Sequence, residues 1–297
     1  MSVYEIITDR IIAALEKGVV PWKKPFTTGL PQNLVSKKEY RGINTLLLQC
    51  APYSAPYWLT FKQAGQLNGS VKKGEKGYPV ILWKFTDFVT KNTNENETEL
   101  TAGAFSTKIT GSASKGSKRY PLLRYYTVFN VEQCEEITYP TPQSIVADIV
   151  ECENLVKKTG CTIKDGTEAY YTPATDTVTI PKKECFRNME SYCSVIYHEL
   201  SHWTGHRSRL NREGVQRVNF GSEVYSKEEL IAEMGAAFLC AHTGIENNAT
   251  IENSSSYISS WLRKLQEDKK MVIFAAAQAQ KAAEFIINGG KNESRED

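Results

Sequence analysis

The sequence has no apolar run that approaches the ~20 residues a membrane-spanning helix requires. Residues 1–5 show no basic region followed by an apolar core, so a secretory signal is not visible. The 7 cysteines are odd in number and include no C-x-x-C pair, which excludes zinc-finger spacing and argues against a disulfide framework. We therefore expect a cytoplasmic protein with reduced thiols and no membrane partner.

Length and charge suggest two halves with different partners. A chain of 297 residues is near the size at which single cores stop growing, so we expect two domains. Residues 1–130 carry 18 Lys and Arg against 9 Asp and Glu, whereas residues 131–297 carry 18 against 25. A basic half of net charge +9 beside an acidic half of −7 indicates that the first half meets a polyanion.

Residues 198–202 read His-Glu-Leu-Ser-His, an H-E-x-x-H pattern that follows an apolar stripe of helical spacing. Residues four apart share a helix face, so the imidazoles of His198 and His202 can converge on one metal ion. Glu199 would project beside that ion, where a carboxylate can take a proton from bound water. Gly205 predicts the end of the helix. The pattern favours a metallopeptidase-type site, but an outward-facing polar helix face would read the same.

A catalytic zinc site takes three protein ligands and keeps a fourth position for water. The long metzincin pattern would place a histidine at position 208, where the sequence has Ser208. His206 comes two residues too early and just past the predicted helix end. We therefore expect His206 to orient a ligand or to be structural, and we look downstream for the third ligand.

A second predicted helix, with Ser226 as its N-cap, offers Glu229 and Glu233 on one face. One carboxylate could bind the metal and the other could orient a ligand histidine through its free N–H. Ser226 and Glu229 also have the spacing of a capping box, in which case Glu233 would be the ligand. The arrangement is similar to that of the gluzincin metallopeptidases, which favours Glu229 as the ligand and Glu233 beside it.

The basic half interleaves cationic and aromatic residues. Single-stranded nucleic acid is bound by a positive groove and by aromatic rings that stack on bases, each worth roughly 1–3 kcal/mol. Solvated lysines and core aromatics would give the same composition. Trp22 and Tyr40 stand beside lysines and loop residues, so we expect both to be exposed. The candidate DNA-binding residues are Trp22, Lys23, Lys24, Lys38, Tyr40, Arg41, Lys72, Lys73 and Lys76.

Periodicity predicts an α+β chain. The first domain, residues 1–135, would hold a helix over 4–17 and strong strands at 78–85 and 122–130. The polar segment 86–119 between those strands predicts a long flexible loop. The second domain, residues 140–288, would run from a helix through short strands to the motif helix, and residues 289–297 would be a disordered tail.

Several segments together resemble the ArdC antirestriction proteins of conjugative plasmids. They read WKKPF at 22–26, YRGIN at 40–44, YWLTFKQA at 57–64, VKKGEKG at 71–77, HELSHWTGH at 198–206 and EELIAE at 228–233. The resemblance implies an N-terminal single-stranded-DNA-binding domain, related to that of a plasmid primase, and a C-terminal zincin-like, gluzincin-type metallopeptidase domain. It also implies that the protein protects incoming plasmid DNA from host restriction during conjugation.

The working hypothesis is a zinc-dependent peptidase that cuts an unidentified protein met on single-stranded DNA. His198, His202 and Glu229 would hold Zn²⁺, although nitrogen and oxygen ligands also admit Mn²⁺. Glu199 would pass the water's proton to the leaving amine.

Four further points stay open at this stage. Tyr225 or His242 could stabilise the oxyanion, and the arginines between the two helices, among them Arg209 and Arg212, could reach DNA or substrate. The alternative function is a DNA-coating shield whose metal site is structural. A metal-dependent nuclease is less favoured, because such sites are usually rich in carboxylates and often hold two metals.

Overall fold

The computed structural model describes residues 2–23, 29–94, 97–102, 105–110, 118–141, 147–216, 223–245 and 254–291. The chain separates into a large unit, Met1–Tyr78 with Val128–Asp297, and a small unit, Pro79–Thr127. Within those described ranges, every helix is too short or too polar to cross a bilayer. The predicted disordered tail lies outside the described residues from position 292 onward.

Helices dominate the large unit. In chain order they are α1 (Val3–Glu16), α2 (Ile43–Gln49), α3 (Phe61–Gln66), α4 (Ile149–Thr159), α5 (Met189–Thr204), α6 (Glu213–Gln216), α7 (Glu223–Thr243), α8 (Ser254–Glu267) and α9 (Met271–Ile287). Helix α4 ends at Gly160, whose φ of +67° is the left-handed conformation that glycine adopts without a Cβ clash.

Helix α7 packs on both α5 and α9. A Cβ atom built on Gly235 of α7 would lie 2.5 Å from Oγ of Ser201 on α5, so only glycine permits this approach. Half of the 10 buried residues of helix α9 are alanines, and such small side chains allow helix axes to come close. The close packing of α5 and α7 sets the position of the predicted ligand residues on the two helices.

The N-terminal segment belongs to the same packed unit. Ile7, Ile11 and Leu15 of α1 are buried, and Oγ1 of Thr8 donates to the carbonyl oxygen of Lys269 at 2.6 Å. The predicted helix over 4–17 is therefore confirmed, and it buries its apolar face. The capping box that Ser2 and Glu5 form at its first turn starts the helix at Val3.

The expectation that Trp22 and Tyr40 are exposed is wrong. Trp22 is 0% exposed and its ring meets Trp261 edge-on, with ring centroids 5.2 Å apart, whereas Tyr40 is 8% exposed. Large aromatic rings gain much free energy from burial, because each removes a large apolar area from water. The lysines next to Trp22 and Tyr40 in the sequence do not prevent that burial. Neither ring is available to stack on bases in this fold.

Short strands complete the N-terminal part of the large unit. β1 (Gln32–Asn33) pairs in parallel with β2 (Tyr57–Leu59), which pairs antiparallel with the end of β7 (Lys118–Asn130) at residues 129–130. β3 (Ser70–Val71) pairs antiparallel with β8 (Cys134–Glu135). The buried cluster under these strands consists of Leu34, Ala55, Leu59, Ala64, Val131 and Cys134.

The small unit is a sheet whose strands follow one another in the order β7-β4-β5-β6. The strands are β4 (Tyr78–Asn94), β5 (Glu97–Ala102), β6 (Phe105–Thr110) and β7 (Lys118–Asn130). The predicted strands at 78–85 and 122–130 are confirmed. The predicted loop over 86–119 is wrong for the described residues of that range, which are strands. Low apolar content is a poor guide here, because threonine and valine favour extended backbone in polar ribbons too.

A second sheet lies beside α5. It has the order β10-β11-β9, with β9 (Thr162–Asp165) parallel and β10 (Tyr170–Thr172) antiparallel to β11 (Thr177–Ile180). Val178 and Ile180 of the central strand are buried. The three predicted short strands are therefore confirmed. β10 is an end strand of this sheet and packs near α5.

Candidate metal centre

The predicted motif helix is α5, and it carries both histidines on one face. Asn188 caps it by accepting a hydrogen bond from the N–H of Ser191 at 2.8 Å. The helix ends at Thr204, as Gly205 predicts, but Gly205 has a φ of −77°. Its missing Cβ serves packing instead, because a Cβ there would lie 2.8 Å from Nη2 of Arg212.

Three side chains converge between α5 and α7. Nε2 of His198 and Nε2 of His202 lie 3.1 Å apart, and the two carboxylate oxygens of Glu229 lie 3.6 Å and 3.5 Å from them. One ligand atom from each residue lies within 4.8 Å of the others. Tetrahedral bonds of about 2.1 Å would place ligand atoms about 3.4 Å apart, so this donor set fits one divalent ion.

Electrostatics favour a cation in the cluster. Burial lowers the pKa of His198, but the carboxylates of Glu229, Glu199 and Glu233 outweigh it and raise that pKa to about 9. The surrounding negative charge therefore attracts positive charge to Nε2, where it can be a proton or a metal ion. Glu233 is half-buried and acts on His198 through its charge.

Sequence reasoning missed Glu228, which is only 4% exposed. Its Oε1 lies 3.4 Å from Nδ1 of His202, and because a carboxylate accepts, Nδ1–H donates. That tautomer leaves the Nε2 lone pair of His202 facing the cluster. The structure thus places Glu228 against a ligand histidine, a contact that the sequence does not predict, and the orienting role of Glu233 stays a prediction. Glu228 directly precedes Glu229 and lies outside the four-residue spacing that relates Glu229 to Glu233. Only its tertiary contact with His202 identifies it.

Arg212 holds Glu228 in place. Its guanidinium donates to both carboxylate oxygens of Glu228, at 3.0 Å from Nε and 2.7 Å from Nη2. It also donates to Oγ1 of Thr204 at 2.8 Å and to the carbonyl oxygen of Ser201 at 2.6 Å. Burial raises the pKa of Glu228, but His202 and Arg212 outweigh burial and hold that pKa below its usual value. The expectation that Arg212 reaches DNA or substrate is wrong, because it is buried.

The competing capping-box interpretation of Glu229 weakens in the structure. α7 begins at Glu223, so Ser226 lies inside the helix and the prediction that it is the N-cap is wrong. His206 is not part of the converging set of ligand atoms, and its Nδ1 lies 2.8 Å from Oγ of Ser208. Glu229 therefore joins the two histidines, while His206 has a local structural contact.

A cleft of about 370 Å³ opens at the cluster. Glu199, which is 7% exposed, lines it together with the ligand candidates and Glu228. The β10 region also lines the cleft, through Ala169, Tyr170, Tyr171 and Pro173. His242 lies in the last turn of α7 and lines a different cavity, so its predicted oxyanion role is wrong. The side chain of Tyr225 lies outside the described residues.

The candidate DNA-binding cations divide into several groups. Lys38, Lys72, Lys73 and Lys76 are exposed, and Nζ of Lys72 donates to the carbonyl oxygen of Glu132 at 2.9 Å. Arg41 forms an ion pair with Glu284 of α9. Lys24 and the side chain of Lys23 lie outside the described residues. Lys38, Lys73 and Lys76 are therefore the cations best placed to meet a polyanion.

Two family models match the chain. One, described as the N-terminal domain of anti-restriction factor ArdC, matches residues 1–129, and another, described as zincin-like metallopeptidase, matches residues 150–279. The predicted α+β class, with these two domain types in this order, is confirmed. The domain limits at 135 and 140 stay predictions.

Similar curated proteins fall into two kinds. Two proteins named DNA primase TraC from Escherichia coli are 34% identical over 293 residues, which is 96% of this chain but 27% and 20% of the primases. The chain thus spans about a quarter or less of their length. An uncharacterized protein, y4eC, of Sinorhizobium fredii (strain NBRC 101917 / NGR234) is 33% identical and is covered over 91% of its length.

Solved structures of antirestriction ArdC from the R388 plasmid match over nearly the whole chain. The metal-free crystal structure has a TM-score of 0.77 at 32% identity and covers 98% of each chain. The Mn(II)-bound crystal structure has a TM-score of 0.75 at 33% identity, covering 99% of this chain and 100% of the other. The fold, the matched family models and these full-length likenesses agree, and the chain belongs to the ArdC family of antirestriction proteins.

Proposed function

We propose that this protein binds single-stranded DNA and carries a metal-dependent peptidase site, and that it protects incoming plasmid DNA from host restriction during conjugation. The observation that carries the proposal is the convergence of His198, His202 and Glu229 in a cleft that also holds Glu199 and the end strand β10. Mn(II) bound by the R388 relative supports a divalent ion, and the donor set equally suits Zn²⁺.

Each residue of the cleft has a defined task in this proposal. A divalent ion held by the two histidines and Glu229 would supply an acidified water and a polarising charge. Glu199 accepts the proton of that water and returns it to the leaving amine. Glu228 keeps the Nε2 lone pair of His202 directed at the cluster. β10 offers backbone N–H and C=O groups to an extended peptide of the unidentified substrate protein.

Glu199→Gln tests the chemistry. We expect this variant to bind Mn²⁺ or Zn²⁺ with native affinity in calorimetry and to lose fluorescein-labelled casein cleavage by a factor on the order of 10²–10⁴. Glu190→Gln, on the first turn of the same helix, is the matched control and should cleave normally. Native cleavage by Glu199→Gln would remove Glu199 from the mechanism.

The same variant separates the peptidase from the DNA-coating shield. Plasmid transfer into a restricting recipient is measured with the native and Glu199→Gln proteins. Loss of protection in the variant supports a peptidase-driven defence. Full protection without cleavage shows that coating suffices and that the metal site is structural in this role.

The DNA-binding part of the proposal rests on Lys73 and Lys76. Both are exposed, Lys73 in a turn and Lys76 just after it, which suits phosphate contacts. Each such contact contributes about 0.7 to the salt slope on a single strand. A Lys73→Ala/Lys76→Ala protein should bind a fluorescent oligothymidine more weakly and with a smaller salt slope in anisotropy titrations. A Lys164→Ala/Lys182→Ala protein, with the same charge change elsewhere, is the control. Equal slopes for both proteins would overturn the assignment.

A further inference from the structure

Arg209 links the metal-site helix to the hairpin of β10 and β11. Its Nε donates to the carbonyl oxygen of Trp203 at 2.7 Å, and its guanidinium carbon lies 3.9 Å from the centroid of the Trp203 ring. The other side of the guanidinium donates to Oδ2 of Asp176 at 2.9 Å and to the hydroxyl of Tyr171 at 3.3 Å. One side chain thus contacts the end of α5, the strand β10 and the turn that follows it.

The hairpin side of this network is itself well ordered by hydrogen bonds. The hydroxyl of Tyr171 donates to Oδ1 of Asp176 at 2.8 Å, across the hairpin. Asp176 has a φ of +51°, a left-handed conformation that costs a non-glycine residue free energy unless its contacts hold it. The hydrogen bonds from Arg209 also hold the pKa of Asp176 below its usual value, so its carboxylate stays ionised. The expectation that Arg209 reaches DNA or substrate is wrong, because these contacts occupy it.

The two elements joined by Arg209 both contribute residues to the lining of the cleft. Trp203 directly follows the candidate ligand His202, whereas Tyr171 and Pro173 line the wall made by β10. A change in the Arg209 contacts would therefore shift the β10 wall relative to the ligand cluster. The Arg209–Asp176 ion pair would not need to contact both α5 and the β10 hairpin if it only added stability.

We propose that Arg209 is a positioning residue for the substrate of this cleft. It fixes the height of β10 above the ligand cluster, so that an extended, locally unfolded polypeptide segment paired with β10 passes over Glu199. The proposal rests on the peptidase function proposed above and adds the residue that sets the strand in register with the reacting groups.

Two hydroxamates separate strand positioning from metal binding in the metal-loaded protein. Acetohydroxamic acid reports the ligand cluster alone, whereas a tripeptide hydroxamate reports the cluster together with β10. Arg209→Lys keeps the charge but loses the planar fork that spans Asp176 and Trp203. We expect it to weaken the tripeptide hydroxamate about tenfold, the equivalent of one charged hydrogen bond, and to leave acetohydroxamic acid and Mn²⁺ affinities unchanged.

Tyr171→Phe is a second variant, which removes only the hydroxyl that accepts from Arg209. Arg207→Lys is the matched control, because Arg207 is an exposed arginine two residues before Arg209. Hydrogen exchange of the amides in 169–180 gives a readout that needs no catalysis. Exchange there should accelerate in Arg209→Lys, and to a lesser degree in Tyr171→Phe, but not in Arg207→Lys.

The outcomes distinguish this inference from the peptidase proposal. Native affinity for the tripeptide hydroxamate in Arg209→Lys overturns the inference even if the native protein cleaves peptides. Equal weakening of both hydroxamates overturns it too, because the ligand cluster itself would then be disturbed. A native protein that binds acetohydroxamic acid but gains no affinity from the tripeptide overturns both the role of β10 and the inference.

Discussion

Removing the guanidinium of Arg212 should lower the unfolding free energy more than substitution of any exposed residue. Arg212→Met deletes the hydrogen bonds to Glu228, Thr204 and Ser201. The carboxylate of Glu228, which is only 4% exposed, then loses its cationic partner. Breaking a buried ion pair from one side costs about 3–5 kcal/mol. A domain has about 5–15 kcal/mol of unfolding free energy in total, so the loss is a large fraction.

The assay is equilibrium urea unfolding followed by tryptophan fluorescence. Arg207→Met, which changes an exposed arginine nearby, should stay within about 0.5 kcal/mol of the native protein. The double variant Arg212→Met/Glu228→Met should recover much of the loss, because replacing both partners leaves no uncompensated buried charge. Metal titration adds a second measurement, in which Glu228→Gln should lower Mn²⁺ affinity about 10–100-fold through His202.

Two results would refute this reasoning. A loss below about 1 kcal/mol for Arg212→Met would mean that Glu228 finds water or another partner. A double variant less stable than Arg212→Met alone would mean that packing around Gly205 and Gly214, and not charge burial, dominates at this site. Gly214 is relevant because a Cβ there would lie 2.8 Å from Cβ of Glu228.

Three further predictions concern the same large unit. Gly205→Ala should lower the unfolding free energy by about 1–3 kcal/mol in urea titrations, because its Cβ would lie 2.4 Å from Cγ2 of Val215, whereas Gly65→Ala, with nothing within 4 Å, should not destabilise. Burial lowers the pKa of His198 but nearby carboxylates raise it to about 9, so a metal ion must displace a proton below that pH. Mn²⁺ affinity should therefore rise about tenfold per pH unit from 6 to 8, which calorimetry in two buffers would check through the protons released; affinity that is flat with pH would contradict it. Trp22→Ala should cost about 3–5 kcal/mol while leaving oligonucleotide affinity of the folded protein unchanged, and weaker DNA binding without a stability loss would reverse that assignment.

Local spacing was sufficient to predict the helix that carries the two histidines. A five-residue pattern fixes which side chains share a face, and Gly205 marks the end of the helix. The choice of Glu229 needed more than spacing, since Ser226 offered a capping box in the sequence. That alternative depended on where α7 begins, and the start at Glu223 is a feature that helix propensity defines poorly.

Contacts between distant segments could not be predicted. Glu228 acquires its role because Arg212 folds back under it and because Gly205 leaves room for the guanidinium. Nothing in the local pattern of either residue distinguishes a buried ion pair from two solvated charges. Trp22 shows the same limit, since its burial depends on Trp261, far away in the chain.

The prediction of a loop over 86–119 is wrong for a different reason. Low apolar content does not exclude regular structure, since described residues of that segment form parts of β4 and β7 together with β5 and β6. A ribbon of strands satisfies its backbone through pairing and needs no continuous apolar face for that. Composition alone therefore underestimates structure in threonine-rich stretches.

The packing of the first helices has a consequence for separate expression of the two matched segments. Trp22 lies against Trp261, Thr8 bonds to Lys269, and the N–H of Gly42 donates to Gln280 at 3.0 Å. Cutting the polypeptide near residue 140 would expose these buried contact surfaces on both fragments. We expect the isolated halves to be prone to aggregation and to reassociate when mixed, so that complementation in trans is a more natural experiment than truncation.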